Sequence, residues 1–130
     1  MVSASYGKLA ALILLTACSV GTTVRDYPPA HGPAGASVRL ELSNQRPIYG
    51  ELLAVEERSF LMLESGQLVR VGIQLIRSGK GPKVSFTAIT LDDEVRERLR
   101  LISRYPQGVS PELEARLLEA YQLTRIREVS

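Results

Sequence analysis

The sequence predicts an α+β protein: a small five-stranded antiparallel β-barrel followed by a C-terminal α-helical hairpin. Three observations carry this expectation. Between Ser37 and Ile89, apolar and polar residues alternate in short runs separated by turn residues, the pattern of strands with one buried face. After Ile89 the apolar spacing lengthens to that of amphipathic helices. The stretch before Ser37 fits neither pattern, being an apolar run followed by a segment rich in Gly, Pro, Ala and Thr.

Val38, Leu40 and Leu42 alternate with Arg39, Glu41 and Ser43, and define a first strand; Asn44-Gln45-Arg46-Pro47 supplies turn chemistry. Ile48 to Val55 reads as a second strand, in which Gly50 signals a sharp bend or the close approach of another backbone. The charged turn Glu56-Glu57-Arg58 leads to an apolar third strand, Ser59 to Glu64, closed by Ser65-Gly66. Gln67 to Ile73 is the fourth, with Leu68 or Val69, and Val71, as core candidates according to register. A short segment, Gln74 to Ser78, and the loop Gly79-Lys80-Gly81-Pro82 precede a fifth strand over Lys83 to Ile89. Five short strands joined mainly by tight turns suggest a small barrel or a strongly bent sheet.

Thr90 with Asp93 forms a capping-box-like helix start, and Asp92-Asp93-Glu94 complements the positive end of the helix dipole. Val95, Leu99 and Ile102 fall on one face, and Tyr105-Pro106-Gln107-Gly108 ends the helix. Ser110 as N-cap and Pro111 at the first helical position start a second helix with a Leu113, Leu117 and Tyr121 stripe. A short connection between two amphipathic helices reads as an antiparallel hairpin whose apolar faces cover the barrel, each other or a partner.

The N-terminal run Leu9 to Ala17, preceded by Lys8, is too short to span a bilayer, which takes roughly 20 apolar residues, and has the length of an export-signal core. The four residues Leu15-Thr16-Ala17-Cys18 closely resemble the lipobox of bacterial lipoproteins. That resemblance implies cleavage before Cys18, a diacylglycerol on its sulfur and membrane attachment through this N-terminal lipid. Ser19, in place of the aspartate that retains such proteins in the inner membrane of enteric-type bacteria, implies the outer membrane, facing the periplasm. The expected organisation is a signal peptide over 1–17, a lipid-anchored flexible linker over 18–36, the barrel over 37–89 and the hairpin over 90–125.

The run Val38 to Gly79 resembles the Sm-like small-barrel pattern, with Gly50 matching the glycine of the bent second strand and Ile76-Arg77 with Gly79 loosely matching the isoleucine-arginine-glycine element. Other five-stranded barrels, the Src-homology kind among them, share this layout. Where RNA-binding Sm proteins carry an aspartate and an asparagine, this chain has Glu57 and Ser59. The resemblance therefore implies the barrel, and nucleic acid is not an expected partner.

Composition narrows the chemistry. Cys18 is the only cysteine, so no intrachain disulfide forms, and the formal net charge of +2 arises from interspersed charges rather than a polycationic tail. The sole histidine, His31, lies between prolines and glycines of the linker with no second ligand nearby. A serine nucleophile lacks a base on the folded part. Glu56-Glu57 and Asp92-Asp93 read as a solvated turn and a helix start, and Gly79-Lys80-Gly81 lacks the spacing of a phosphate-binding loop. Arg96, Arg100 and Arg104 recur every four residues and read as a solvent-facing stripe partly neutralised by Glu97 and the N-terminal acids. No catalytic, cofactor or metal residues are therefore expected, and the ligand-binding residues stay unassigned. The reading is a non-enzymatic, lipid-anchored envelope protein, an adaptor or assembly component with an envelope-protein partner. The alternative is a module binding peptidoglycan or another cell-wall ligand, for which Tyr49, Phe60 and Phe86 are the only aromatics on the predicted strands.

Overall fold

The computed structural model describes residues 35–130. Seven strands and two α-helices follow in the order β1 (Ser37–Leu42), β2 (Gln45–Val55), β3 (Ser59–Glu64), β4 (Gln67–Gly72), a 3-10 turn (Ile73–Leu75), β5 (Ile76–Gly81), β6 (Val84–Thr87), α1 (Asp93–Ile102), α2 (Pro111–Ala120) and β7 (Arg127–Val129). The class is α+β as expected. The strand count and closure are not: the strands form one sheet in the order β6-β5-β1-β2-β3-β4-β7, and its end strands β6 and β7 are not paired with each other. Neighbours are antiparallel except β7, which runs parallel to β4.

The strands missing from the sequence reading are the two with least apolar content. β5 (IRSGKG) spans the end of the unassigned short segment and the start of the expected Gly79-Lys80-Gly81-Pro82 loop, where glycines and charges replace the alternating aliphatics. Its Gly79 lies beneath Phe86 of β6: a Cβ there would come within 2.2 Å of the ring, so the aromatic takes the space a side chain would fill. β7 is three residues long and exists through its pairing with Val69, Arg70 and Val71.

Turn chemistry sets the hairpins. Ser65 and Gly66 both have positive φ and link Glu64 to its partner Gln67, the geometry of a two-residue turn that matches strand twist. Pro82-Lys83, with Lys83 at φ 63°, turns β5 into β6.

Alternation sorts the side chains onto two faces. Val38, Leu40, Ile48, Leu52, Phe60, Met62, Val69, Val71, Val84 and Phe86 point to one face and form the larger core. There Leu99 of α1 is fully buried, with Val95 and Ile102 packed beside it, as their helical spacing predicts. Leu61 and Leu68 point to the opposite face and build a second core with Tyr105, Leu113 and Leu117. Leu53 joins it through a bulge, since β2 carries one extra residue between the pairs Leu52↔Met62 and Ala54↔Leu61. Burial on both faces explains why Leu68, Val69 and Val71 are all buried.

The expected helical hairpin is therefore replaced by a different arrangement. α1 covers one face of the sheet and α2 the other, each burying its stripe against strands rather than against the other helix. Their caps explain where they start. Asp92, not Thr90, caps α1, its Oδ1 accepting from Val95 N–H (3.0 Å), and Ser110 Oγ accepts from Leu113 N–H (3.1 Å) ahead of Pro111.

Candidate functional site

Two places concentrate polar chemistry. The first is where the linker meets the domain. Gly35 N–H donates to Glu51 Oε2 (2.9 Å), Ala36 N–H to the Ile102 carbonyl (2.9 Å), and Leu52 N–H to the Ala36 carbonyl (2.8 Å). Beyond the start of β1, the segment after α1 takes its place beside β2, with Arg104 N–H on the Leu52 carbonyl and Tyr105 N–H on that of Leu53. Gly35 is needed there: a Cβ would lie 2.4 Å from the Leu52 carbonyl oxygen and 2.7 Å from Arg104 N.

Arg104 closes this clasp. Its Nε and Nη2 donate to the two oxygens of Glu51, both at 2.7 Å, and the side chains are only 6% and 9% exposed. Burial opposes the Arg104 charge, but the hydrogen bond to Glu51 and the neighbouring Tyr105 phenol outweigh it and hold the guanidinium above its usual pKa. Burial pushes the Tyr105 and Tyr121 phenols up from their ordinary values.

The remaining arginines of the expected stripe are also engaged. Arg96 Nη2 donates to the Glu56 and Glu57 carbonyls (3.0 Å each), while Arg100 pairs with Glu97 and donates to the Pro106 carbonyl (2.8 Å). Arg100 thus keeps the Glu97 partner expected of the stripe, whereas Arg96 and Arg104 depart from it by reaching the β2–β3 turn and Glu51.

Glu56 belongs to a second network in which Arg70 contacts Glu56 (2.8 Å), Glu114 (3.2 Å) and Glu128 (3.2 Å), joining β4 to α2 and β7. Burial alone would raise the Glu56 pKa, but the hydrogen bonds from Arg70 and Ser59 prevail and hold it below its ordinary 4.5. The folded state therefore binds this proton less tightly than the unfolded chain. The stabilisation is present above the unfolded pKa and is lost as pH falls through the lower folded value. Urea midpoints measured as pH falls below about 4.5 should decline in the wild type and decline less in Glu56→Gln; equal slopes would contradict the role given to this carboxylate.

The second place is the outer face of β6, β5 and β1, which α2 leaves bare. Paired positions place Tyr49, Arg39, Lys80 and Ser85 in one row across β2, β1, β5 and β6, with Glu41, Ser78 and Thr87 in the next. A shallow groove of about 500 Å³ is lined here by Arg39, Glu41, Ser78, Lys80, Thr87 and Thr90, among others. Arg39 Nε donates to Glu41 Oε2 at 2.7 Å. Thr90, expected to cap a helix, instead closes the end of β6: its Oγ1 accepts from Thr87 N–H (2.8 Å) and its N–H donates to the Thr87 carbonyl (3.1 Å).

Cys18, the whole expected lipobox and His31 lie outside the described residues. Gly79-Lys80-Gly81 lies on a strand, and Asp92-Asp93 starts α1. Phe60 and Phe86 are buried against each other edge to face, 6.3 Å between centroids, and only Tyr49 of the three strand aromatics is exposed, at 59%. Among the described residues no group of His, Cys, Asp and Glu is placed to hold a metal ion, and no helix is long and apolar enough to cross a membrane. The Glu51–Arg104 pair was missed. Its one signal is an acid directly before the apolar run Leu52-Leu53-Ala54-Val55 of a central strand, where an unpaired carboxylate is costly. No protein-family model, curated protein or solved structure matches the chain.

Proposed function

We propose that this chain is a lipid-anchored protein of the bacterial cell envelope. It is attached through Cys18 to the outer membrane facing the periplasm, and acts without catalysis as an adaptor or assembly component. The lipobox resemblance of Leu15-Thr16-Ala17-Cys18 supports the anchor. The observation that carries the display role is the clasp around Gly35 and Ala36, which fixes the point where the tether would enter the domain. A tether that enters at a fixed point sets which surfaces of the domain lie next to it and which stay open to a partner.

The adaptor role is favoured over cell-wall binding because sugars are gripped by aromatic clefts, and two of the three strand aromatics serve the core. Of the paired acids weighed for catalysis, Glu56 is engaged with Arg70 and Asp92 caps α1. The Sm-like resemblance of Val38 to Gly79 bears on architecture alone within this reading. The short edge strands β6 and β7 are poor templates for edge-to-edge pairing, which weighs against ring assembly.

Crosslinking in intact cells followed by purification of the full chain tests the adaptor role. Recovery of one envelope protein in stoichiometric yield, lost when exposed positions away from the cores are substituted, is expected. Recovery of no specific protein with crosslinkers of several lengths would overturn it.

A further inference from the structure

We propose that the bare outer face of β6, β5 and β1 is a membrane-resting surface that takes anionic phospholipid headgroups, with Ile89 as its apolar contact. The inference builds on the lipid-anchored reading, which brings this face near a bilayer.

Charge is the first argument. By strand register the face carries the cations Arg39 and Lys80 against the single acid Glu41, and Lys83 lies in the turn that joins β5 to β6. Arg39 and Lys80 are directly opposed across β1 and β5, and like charges so placed oppose folding. Glu41 relieves Arg39, whereas Lys80 takes part in none of the ion pairs among the described residues. An anion seated between the two cations removes the repulsion. The hydroxyls of Ser78, Thr87 and Thr90 line the same groove and suit phosphate and glycerol oxygens.

The rim supplies the second argument and selects a bilayer over a soluble anion. Ile89 is 93% exposed, and it sits inside the turn that Thr87 and Thr90 fasten to each other beside the groove. A large aliphatic side chain held out by a hydrogen-bonded turn next to a cationic face is the composition of an interfacial contact. Tyr49, at the other end of the Tyr49–Arg39–Lys80–Ser85 row, adds an amphipathic ring of the kind enriched at headgroup level.

Chain length agrees. Sixteen residues lie between Cys18 and Gly35, a reach of at most roughly 55 Å. β1 begins at Ser37, and Arg39 follows two residues later on the bare face. A tether of that length lets the face lie on the membrane that holds the lipid, and leaves the α1 side of the sheet turned away toward a partner.

The test uses the full chain carrying Ile89→Cys, labelled with an environment-sensitive fluorophore and reconstituted into phosphatidylglycerol–phosphatidylcholine vesicles or into phosphatidylcholine alone. The emission should shift to the blue only with phosphatidylglycerol, and the shift should fade at high salt. Lys80→Glu in the same chain should lower occupancy of the bound state by about fivefold or more, since one basic residue near an anionic surface contributes about that factor. The same substitution should leave thermal stability equal or higher, because it removes the Arg39–Lys80 repulsion. A residue with only a structural role would not move the two readouts in opposite directions. Identical emission in the two vesicle types, or no effect of Lys80→Glu on the shift, would overturn the proposal. Wild-type chain taken through the same labelling reports whether Cys18 is blocked. Label on Cys18 counts against the anchor and leaves the difference between the vesicle types readable.

Discussion

Arg104→Met should lower the folding free energy by about 3–5 kcal/mol, the range for removing one partner of a buried ion pair. The reason lies in what remains. The Glu51 carboxylate would stay buried between β2 and the segment after α1 with the Gly35 N–H left to answer it. A domain of this size has a total stability of about 5–15 kcal/mol, so the variant sits near the edge of folding. The double variant Glu51→Leu, Arg104→Met should recover most of the loss, because well-packed apolar groups often replace a buried pair at little cost. A residual deficit of about 1 kcal/mol is expected from the Gly35 N–H left without its acceptor. Urea denaturation of the three proteins measures this. A single-variant effect of about 0.5 kcal/mol or less, the scale of an ordinary surface substitution, would contradict the clasp.

Gly50→Ala should cost about 3 kcal/mol and lower Tm by more than roughly 12 °C. An added Cβ would lie 2.1 Å from the Leu63 carbonyl oxygen and 2.9 Å from its carbon, both backbone atoms of the adjoining strand. β3 would have to move, and Leu61 and Met62, which supply the two cores from opposite faces, would move with it. Gly66→Ala is the control: its φ of +79° strains any side chain, but nothing lies within 4 Å of the added atom, so about 1 kcal/mol is expected. Equal losses at the two glycines, read from thermal unfolding, would mean that β2 and β3 do not approach as closely as described.

Gly50 also marks what was legible in the sequence. A glycine within an apolar strand signals either a sharp bend or a close backbone approach, and the strand pairing requires the second of it. Ser110-Pro111 and the Val95, Leu99, Ile102 stripe were equally readable, because capping and helical spacing are local properties. What failed depends on distant partners. β5 is a strand because β1 and Phe86 make it one, against the propensity of IRSGKG. The apparent helical hairpin splits because the outer face of β2, β3 and β4 is apolar enough to need a cover of its own, a demand visible only once Leu53, Leu61 and Leu68 share a face.

The site residues divide the same way. Arg104 reads as the last member of a surface stripe, since its spacing from Arg96 and Arg100 is regular; α1 ends at Ile102, and the side chain turns into the sheet to meet Glu51. Arg39 and Lys80 are 41 positions apart and become neighbours only through the β1–β5 pairing.

Intact-mass measurement of the chain purified from membranes tests the proposed lipid on Cys18. A species beginning at Cys18 that carries a diacylglycerol thioether is expected, and Cys18→Ser should abolish that modification and the processing while leaving the domain from Ser37 onward folded. A mature chain with an unmodified Cys18, or lipid unchanged in Cys18→Ser, would contradict the anchor and with it the proposed function.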